Sequence, residues 1–275
     1  MSPRARSSRR EERPSVVPTY REYAPPDLLR PFVECFWTRE APSATREASS
    51  PQIHRVLPDG CIDVVLAFSG DRDEPQDALI VGTMTRALVL DSVSSPDSYV
   101  GVRFRPAKAA AFLSLPASEL TDLRVSLNDL WEDAREVREA LAVGSGGAAR
   151  VRALERVLTA RLSPAAAGDQ RDVDEAVRRI IEAGGSLGIT RLAPALGVTR
   201  QHLARRFSQL VGVSPKVFAR VVRLSRVIER IRAAPAGEPI NWSVLALEVG
   251  YYDQAHLIDE FREMTGVTPA AWSRG

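Results

Sequence analysis

The chain has 275 residues, 44% of them hydrophobic and 26% charged, which suits two domains of ordinary globular composition. Its apolar runs stay short of the ~18 residues of a membrane span, and no apolar stretch of a signal peptide follows the basic start MSPRARSSRREERP. The two cysteines, Cys35 and Cys61, make no metal-binding spacing, so a reduced, cytoplasmic chain is expected.

The net charge of +2 is unevenly placed. Residues 1–13 carry five arginines and two glutamates and read as a disordered basic tail. Residues 14–170 are acidic on balance, with 17 basic and 22 acidic side chains. Residues 187–232 hold ten basic residues against one acid, Glu229, whereas 233–275 hold two against six. A compact block of +9 is an electrostatic footprint for a polyanion.

In chain order, residues 14–105 read as strands. VECFWTR (33–39), CIDVVLAF (61–68), ALIVG (78–82), ALVLD (87–91) and YVGVRFR (99–105) are short and rich in β-branched and aromatic residues. Turn residues separate them, among them PDG at 58–60, and no helix intervenes. That pattern favours an antiparallel barrel or sandwich. From Pro106 the texture becomes helical, over AKAAAFLSL, 126–142 and 147–162, with Gly144, Gly146 and Gly147 dividing the last two. The stripe of Val151, Leu154, Val157, Leu158 and Leu162 faces either the β-rich part or a partner copy. Residues 106–170 form a helical linker or dimerisation segment ending in SPAAAGDQ (163–170), and 171–275 an all-α domain. The fold class is α+β.

The all-α part contains a repeat. GVTRQHLARRFSQLVGVSP (197–215) lies over GYYDQAHLIDEFREMTGVTP (250–269), with His202 and His256, Leu203 and Leu257, Phe207 and Phe261, Gly212 and Gly266, and Pro215 and Pro269 all offset by 54. A short apolar helix precedes each copy, ITRLAPAL (189–196) and SVLALEV (243–249), giving helix, glycine turn, helix, twice. Gly197 and Gly250 can take the positive φ of a tight turn. Thr199 and Asp253 are good N-caps. Leu203 with Phe207, and Leu257 with Phe261, point inward together. Ser214-Pro215 restarts a helix that can run to Arg232 and join the copies. Pro194 removes one hydrogen bond early in the first helix of the first copy. Trp242 and Trp272 are read as core.

These residues resemble the DNA-binding domain of AraC-type transcription regulators over about 172–275. HRVLPDGCIDVVL (54–66), VGTMTR (81–86) and GVRFRPAKAAAFL (101–113) are similar to a sensor-like domain that precedes such DNA-binding domains. The resemblance implies a cupin-like β-barrel at the N-terminus that senses a small molecule and helps to dimerise. It also implies two helix-turn-helix motifs joined by a long helix. A helix-turn-helix puts the N-terminal part of its second helix into the major groove. With Leu203 and Phe207 inward, the outer face presents Gln201, Ala204, Arg205 and Ser208. The resemblance puts base contacts at Gln201, Ala204 and Arg205, while Arg200 and Arg206 suit phosphates and Thr199 starts the helix. In the second copy the matching face holds Ala255, Ile258, Asp259 and Arg262, with Tyr252, Asp253, Gln254 and His256 as further polar contacts. Asp259 stands where a basic residue is common in the family. It would repel phosphates but could accept from a cytosine amine. The first copy is therefore expected to supply most of the affinity.

An enzyme reading of the N-terminal half meets a shortage of ligands. Of the three histidines only His54 lies there, and a facial-triad iron site wants two. A Cys61–His54 nucleophile pair is disfavoured, and no phosphate loop or nucleophile elbow appears. What remains is a binding pocket built from polar residues on apolar strands: His54, Asp59, Asp63, Arg103 and Arg105, with Trp37 as a stacking wall, although Asp59 is better explained by the turn chemistry of LPDG. Arg103 and Arg105 share a strand face, either gripping an anionic ligand or pairing with the surplus acids. The expected partners are double-stranded DNA, a small-molecule effector, RNA polymerase if the chain activates, and a second copy of itself. No cofactor, metal or membrane is expected, and no enzymatic activity.

Overall fold

The computed structural model describes residues 19–40, 53–69, 74–91, 96, 98–142, 146–163, 169–235 and 238–274. The basic tail and most of the 163–170 linker lie outside them.

The β-rich part contains β1 (Thr19–Tyr23), β2 (Val33–Glu40), β3 (Ile53–Val56), β4 (Ile62–Phe68), β5 (Asp77–Val81), β6 (Leu88–Asp91), β7 (Ser98–Phe104) and β8 (Arg124–Ser126). Six of them form one antiparallel sheet in the order β1-β2-β7-β4-β5-β8, and β3 pairs with β6 in a separate ribbon. Alternation sends Ile62, Val64, Leu66, Val100, Val102 and Phe104 to one face, where all are buried. β2 needs a register shift between Val33 and Cys35 to bring both Val33 and Phe36, which differ in parity, to that face.

Helices cover the apolar face. α1 (Ala134–Ala142) and α2 (Gly147–Arg161) bury Val137, Leu141, Val151, Leu154 and Leu158 in the same cluster as the sheet residues. The stripe on 147–162 thus faces the sheet. The described hydrogen bonds leave the main sheet open, with β1 and β8 at its edges. AKAAAFLSL forms only a single 3-10 turn, Ala109–Ala111, because Ala107 takes φ +67° and the alanines are drawn into the core rather than into a helix. The helix expected over 126–142 starts at Ala134, since Trp131 is buried with its indole Nε1 donating to the Phe112 carbonyl at 3.1 Å.

The C-terminal part is built from α3 (Arg171–Glu182), α4 (Ile189–Ala195), α5 (Arg200–Val211), α6 (Pro215–Ala233), α7 (Trp242–Glu248), α8 (Gln254–Thr265) and α9 (Pro269–Trp272). α3, α4 and α5 enclose one core with Leu203, Phe207 and Val211, and α7 and α8 enclose another with Leu257, Phe261 and Met264. α6 serves both, through Phe218 and Ala219 in the first and Val221, Leu224 and Val227 in the second. Trp242 and Trp272 pack against the second core. Pro194 is the second-last residue of α4, not an early one, and so interrupts only the final turn. Among the described residues no helix is long and apolar enough to cross a membrane.

Candidate nucleic-acid interface

Local chemistry starts α5 and α8 as their sequences require. Thr199 caps α5 by accepting from the His202 amide at 3.2 Å, and Asp253 caps α8 by accepting from the His256 amide at 2.8 Å. Gly197 and Gly250 take φ of +69° and +87° in the turns before them. Leu203, Phe207, Leu257 and Phe261 are buried, which leaves Arg200, Gln201, Ala204 and Arg205 exposed on α5, and Ala255, His256 and Asp259 exposed on α8. Tyr252, 85% exposed, stands at the entry to α8.

The basic block is less free than its count suggests. Arg206 is held by Asp172 on α3, Arg220 and Arg223 by Glu260 on α8, and Arg230 faces Glu248 on α7 at 3.8 Å. Among the described residues Arg200 and Arg205 form no ion pair, so their charge is available to a polyanion. On α8, Asp259 lies 3.4 Å from Arg262, an exposed pair that partly offsets its negative charge. Gln254 accepts from Ser243 on α7 at 2.8 Å. His202 and His256 each sit near a carboxylate, Asp172 at 3.7 Å and Glu260 at 3.9 Å.

The family model described as a helix-turn-helix domain matches residues 192–275. The C-terminal region is an AraC-type helix-turn-helix domain. This gives the chain the DNA-binding part of a transcription regulator. A second model, a domain of unknown function (DUF6597), matches residues 21–126, all eight strands but the first two residues of β1. No curated protein matches the chain. The C-terminal domain of AraT, a response regulator from Geobacillus stearothermophilus, is 26% identical, covers 42% of this chain and 87% of its own, and superposes with a TM-score of 0.33. ToxT from Vibrio cholerae O395, bound to a naphthalenyl butenoic acid, is 13% identical and covers 82% of this chain and 96% of its own, at a TM-score of 0.45. Wild-type ToxT bound to an unsaturated fatty acid covers 83% and 97% at the same identity, at 0.38.

The helix-turn-helix domain is fastened to the β-rich part at the C-terminal ends of α5 and α8, among other places. Thr83, fully buried, donates its hydroxyl to the Val211 carbonyl at 2.5 Å, and Thr121 donates to the Gly212 carbonyl. The Ala87 amide donates to the Met264 carbonyl at 2.7 Å. Lys108 pairs with Asp174 at 2.6 Å, and Gly60 lies so close to Phe218 that a Cβ there would come within 2.4 Å of the ring. None of these contacts was expected from the sequence.

The residues expected to line an N-terminal pocket are partly gathered. Trp37, Asp63 and Arg103 meet on the sheet face opposite the core: the Trp37 indole donates to Asp63 Oδ2 at 3.2 Å, and Arg103 donates to both Asp63 oxygens at 3.3 Å. Arg103 also pairs with Asp59 at 3.0 Å. Burial lifts the Asp63 carboxyl to about 7 against the opposing pull of Arg103. Arg105 lies past the end of β7 and does not join them; it pairs with Glu34 at 2.6 Å and donates to the Arg30 carbonyl at 3.0 Å. His54 is on β3, opposite Leu90, where partial burial and the charge of Arg39 lower its pKa. Burial, with Asp59 and Asp63 nearby, pushes the Cys61 thiol well above its usual pKa, which works against a thiolate nucleophile.

Proposed function

We propose that the chain is a one-component, sequence-specific transcription regulator in which both helix pairs are helix-turn-helix motifs. α5 reads bases through Gln201, Ala204 and Arg205 and touches phosphate through Arg200 beside the capped start at Thr199. The observation that carries this reading is the contrast on α5: an inner face locked in a core, and exposed Arg200 and Arg205, which form no ion pair among the described residues. α8 contributes less, through Tyr252, Asp253, Gln254, Ala255, His256 and Asp259, because its face is acidic. A selection of bound sequences from random duplex DNA, with the full-length chain at physiological salt, tests it. Two short blocks about one helical turn apart are expected. No enriched sequence would overturn the regulator reading.

The N-terminal half is proposed to sense a small molecule in the cytoplasm, at the face carrying Trp37, Asp63 and Arg103. The Asp63–Arg103 pair, partly buried beside the Trp37 indole and with a carboxyl raised to about 7, supports a binding site there. The barrel that this face would line is a cupin-like one, closed with the β3–β6 ribbon. Arg103 already faces two carboxylates, so a simple anion is not its obvious ligand. The reading in which this half only dimerises loses one surface, because Val151, Leu154 and Leu158 are spent on the sheet.

A further inference from the structure

Each helical unit ties its recognition helix to its own first helix by a carboxylate–guanidinium strut, and the polarity of that strut is reversed between the units. In the first, Arg206 on α5 meets Asp172 on α3, with Nε 2.9 Å from Oδ2 and Nη2 2.9 Å from Oδ1. The same guanidinium donates to the Asp169 carbonyl. In the second, Glu260 on α8 accepts from Arg220 Nε at 2.8 Å and Arg223 Nη2 at 3.1 Å, both on α6.

The two struts occupy equivalent positions. Arg206 and Glu260 are offset by 54, the spacing of the repeat. The first helices align at an offset of 48, which lays Val173, Ala176, Val177 and Ile180 over Val221, Leu224, Ser225 and Ile228. Seven of these eight are buried core positions, the exception being the half-buried Ser225. That register lays Asp172 over Arg220 and Glu175 over Arg223. The joint is therefore the same one, built twice, with its charges exchanged. It is also shielded, since the Glu260 side chain is 7% exposed and that of Asp172 is 19% exposed, so salt screens it less than a surface pair.

Resting on the reading of α5 and α8 as DNA-reading helices, we propose that Arg206 and Glu260 are positioning residues that set the rotation of these helices about their axes. Each directly follows a residue of the DNA-facing side, Arg205 or Asp259, and neighbours on a helix are ~100° apart, so a fixed strut aims the reading side chain. The exchanged polarity also sorts the units. α8 docked on α3 would set Glu260 against Asp172 and Glu175, and α5 docked on α6 would set Arg206 against Arg220 and Arg223. Partly buried like charges disfavour both. Arg206 is in this account no phosphate contact, because its Nε and Nη2 donors are held by Asp172 and the Asp169 carbonyl, which fix the guanidinium against α3.

The test uses the full-length chain with the duplex it selects and an unrelated duplex, titrated between ~50 and ~200 mM salt. The variants are Arg206→Gln, Arg206→Glu, and Arg206→Glu combined with Asp172→Arg. Arg206→Glu should weaken the selected duplex about tenfold or more, and the double variant should recover to within about threefold. Arg206→Gln should lower the preference for the selected over the unrelated duplex and keep the wild-type salt slope. A phosphate contact would instead make the Arg206→Gln slope shallower by about one and leave the double variant as weak as Arg206→Glu, and either result overturns the proposal. If Arg206→Glu fails to fold, the Arg206→Gln slope decides. If the wild-type chain selects no duplex, the regulator reading falls; the strut is then judged by thermal unfolding, where a double variant no more stable than Arg206→Glu overturns it.

Discussion

Arg205 and Asp259 are the residues on which the asymmetry between the two helix pairs turns. Arg205 is exposed and has no ion-pair partner among the described residues, whereas Asp259 leans on Arg262. Arg205→Ala should cost ~1–3 kcal/mol of binding to the selected duplex, the worth of one good base contact, while Asp259→Ala should cost far less. Fluorescence anisotropy with labelled duplex measures both, and equal losses would remove the asymmetry. In the N-terminal half, Asp63 gives a pH prediction. Its folded pKa of about 7 lies above the ordinary 3.8, so between those values the folded state holds a proton that the unfolded state has released. Its contribution to stability is complete below that window and is lost as pH rises through it. Asp63→Asn should therefore lessen the fall in Tm between about pH 4 and about pH 8, and an unchanged pH profile would contradict the raised pKa.

The ends of α5 and α8 show how a shared motif can take on different work in two places. Gly212 and Gly266 end α5 and α8 with φ of +94° and +79°, so an alanine at either meets a left-handed penalty of ~1 kcal/mol. At Gly266 an added Cβ would meet nothing within 4 Å, but at Gly212 it would lie 2.7 Å from Thr83 Oγ1 and 3.2 Å from the Ala117 carbonyl. Gly212→Ala should therefore lower Tm clearly more than Gly266→Ala, and equal effects would deny that this turn is pressed against the β-rich part. The glycines were legible as positions that both copies share. The different neighbours were not, because they come from segments more than 90 residues earlier in the chain. Element by element, the five long strand runs and the five helices of the repeat and its connection, α4 to α8, were readable from periodicity and caps. β1, β3 and β8 were not. β8 is a three-residue edge strand, and β3 finds its partner in β6 rather than in its neighbour across PDG.

Across the whole molecule, the β-rich part grips the C-terminal ends of α5 and α8, while the proposed DNA-facing groups lie on their N-terminal parts. Thr83 and Thr121 supply the hydroxyls for α5, and the Ala87 amide holds α8. Leaving the Val211 carbonyl without its donor costs ~1–3 kcal/mol when the site stays dry. Thr83→Val should therefore lower Tm by several degrees and split a single thermal transition into two, with the helical part following its own curve. Calorimetry on the full-length chain shows which. A variant that melts as the wild type does would mean that the hydroxyl carries no coupling between the parts.

Sequence by itself determined what depends on neighbours along the chain. The caps at Thr199 and Asp253, the inward pairs Leu203–Phe207 and Leu257–Phe261, the positive-φ glycines and the repeat all follow from local periodicity and turn chemistry, and with them the assignment of a DNA-binding domain. Only the tertiary structure decided which charges are free. Ten basic residues in 187–232 look alike in a sequence, yet Arg206, Arg220 and Arg223 are drawn onto buried or half-buried carboxylates of other helices, while Arg200 and Arg205 are left to the solvent. The physical reason is that an ion pair forms wherever two side chains are brought within reach, and that distance is set by helix packing, which no spacing along the chain encodes.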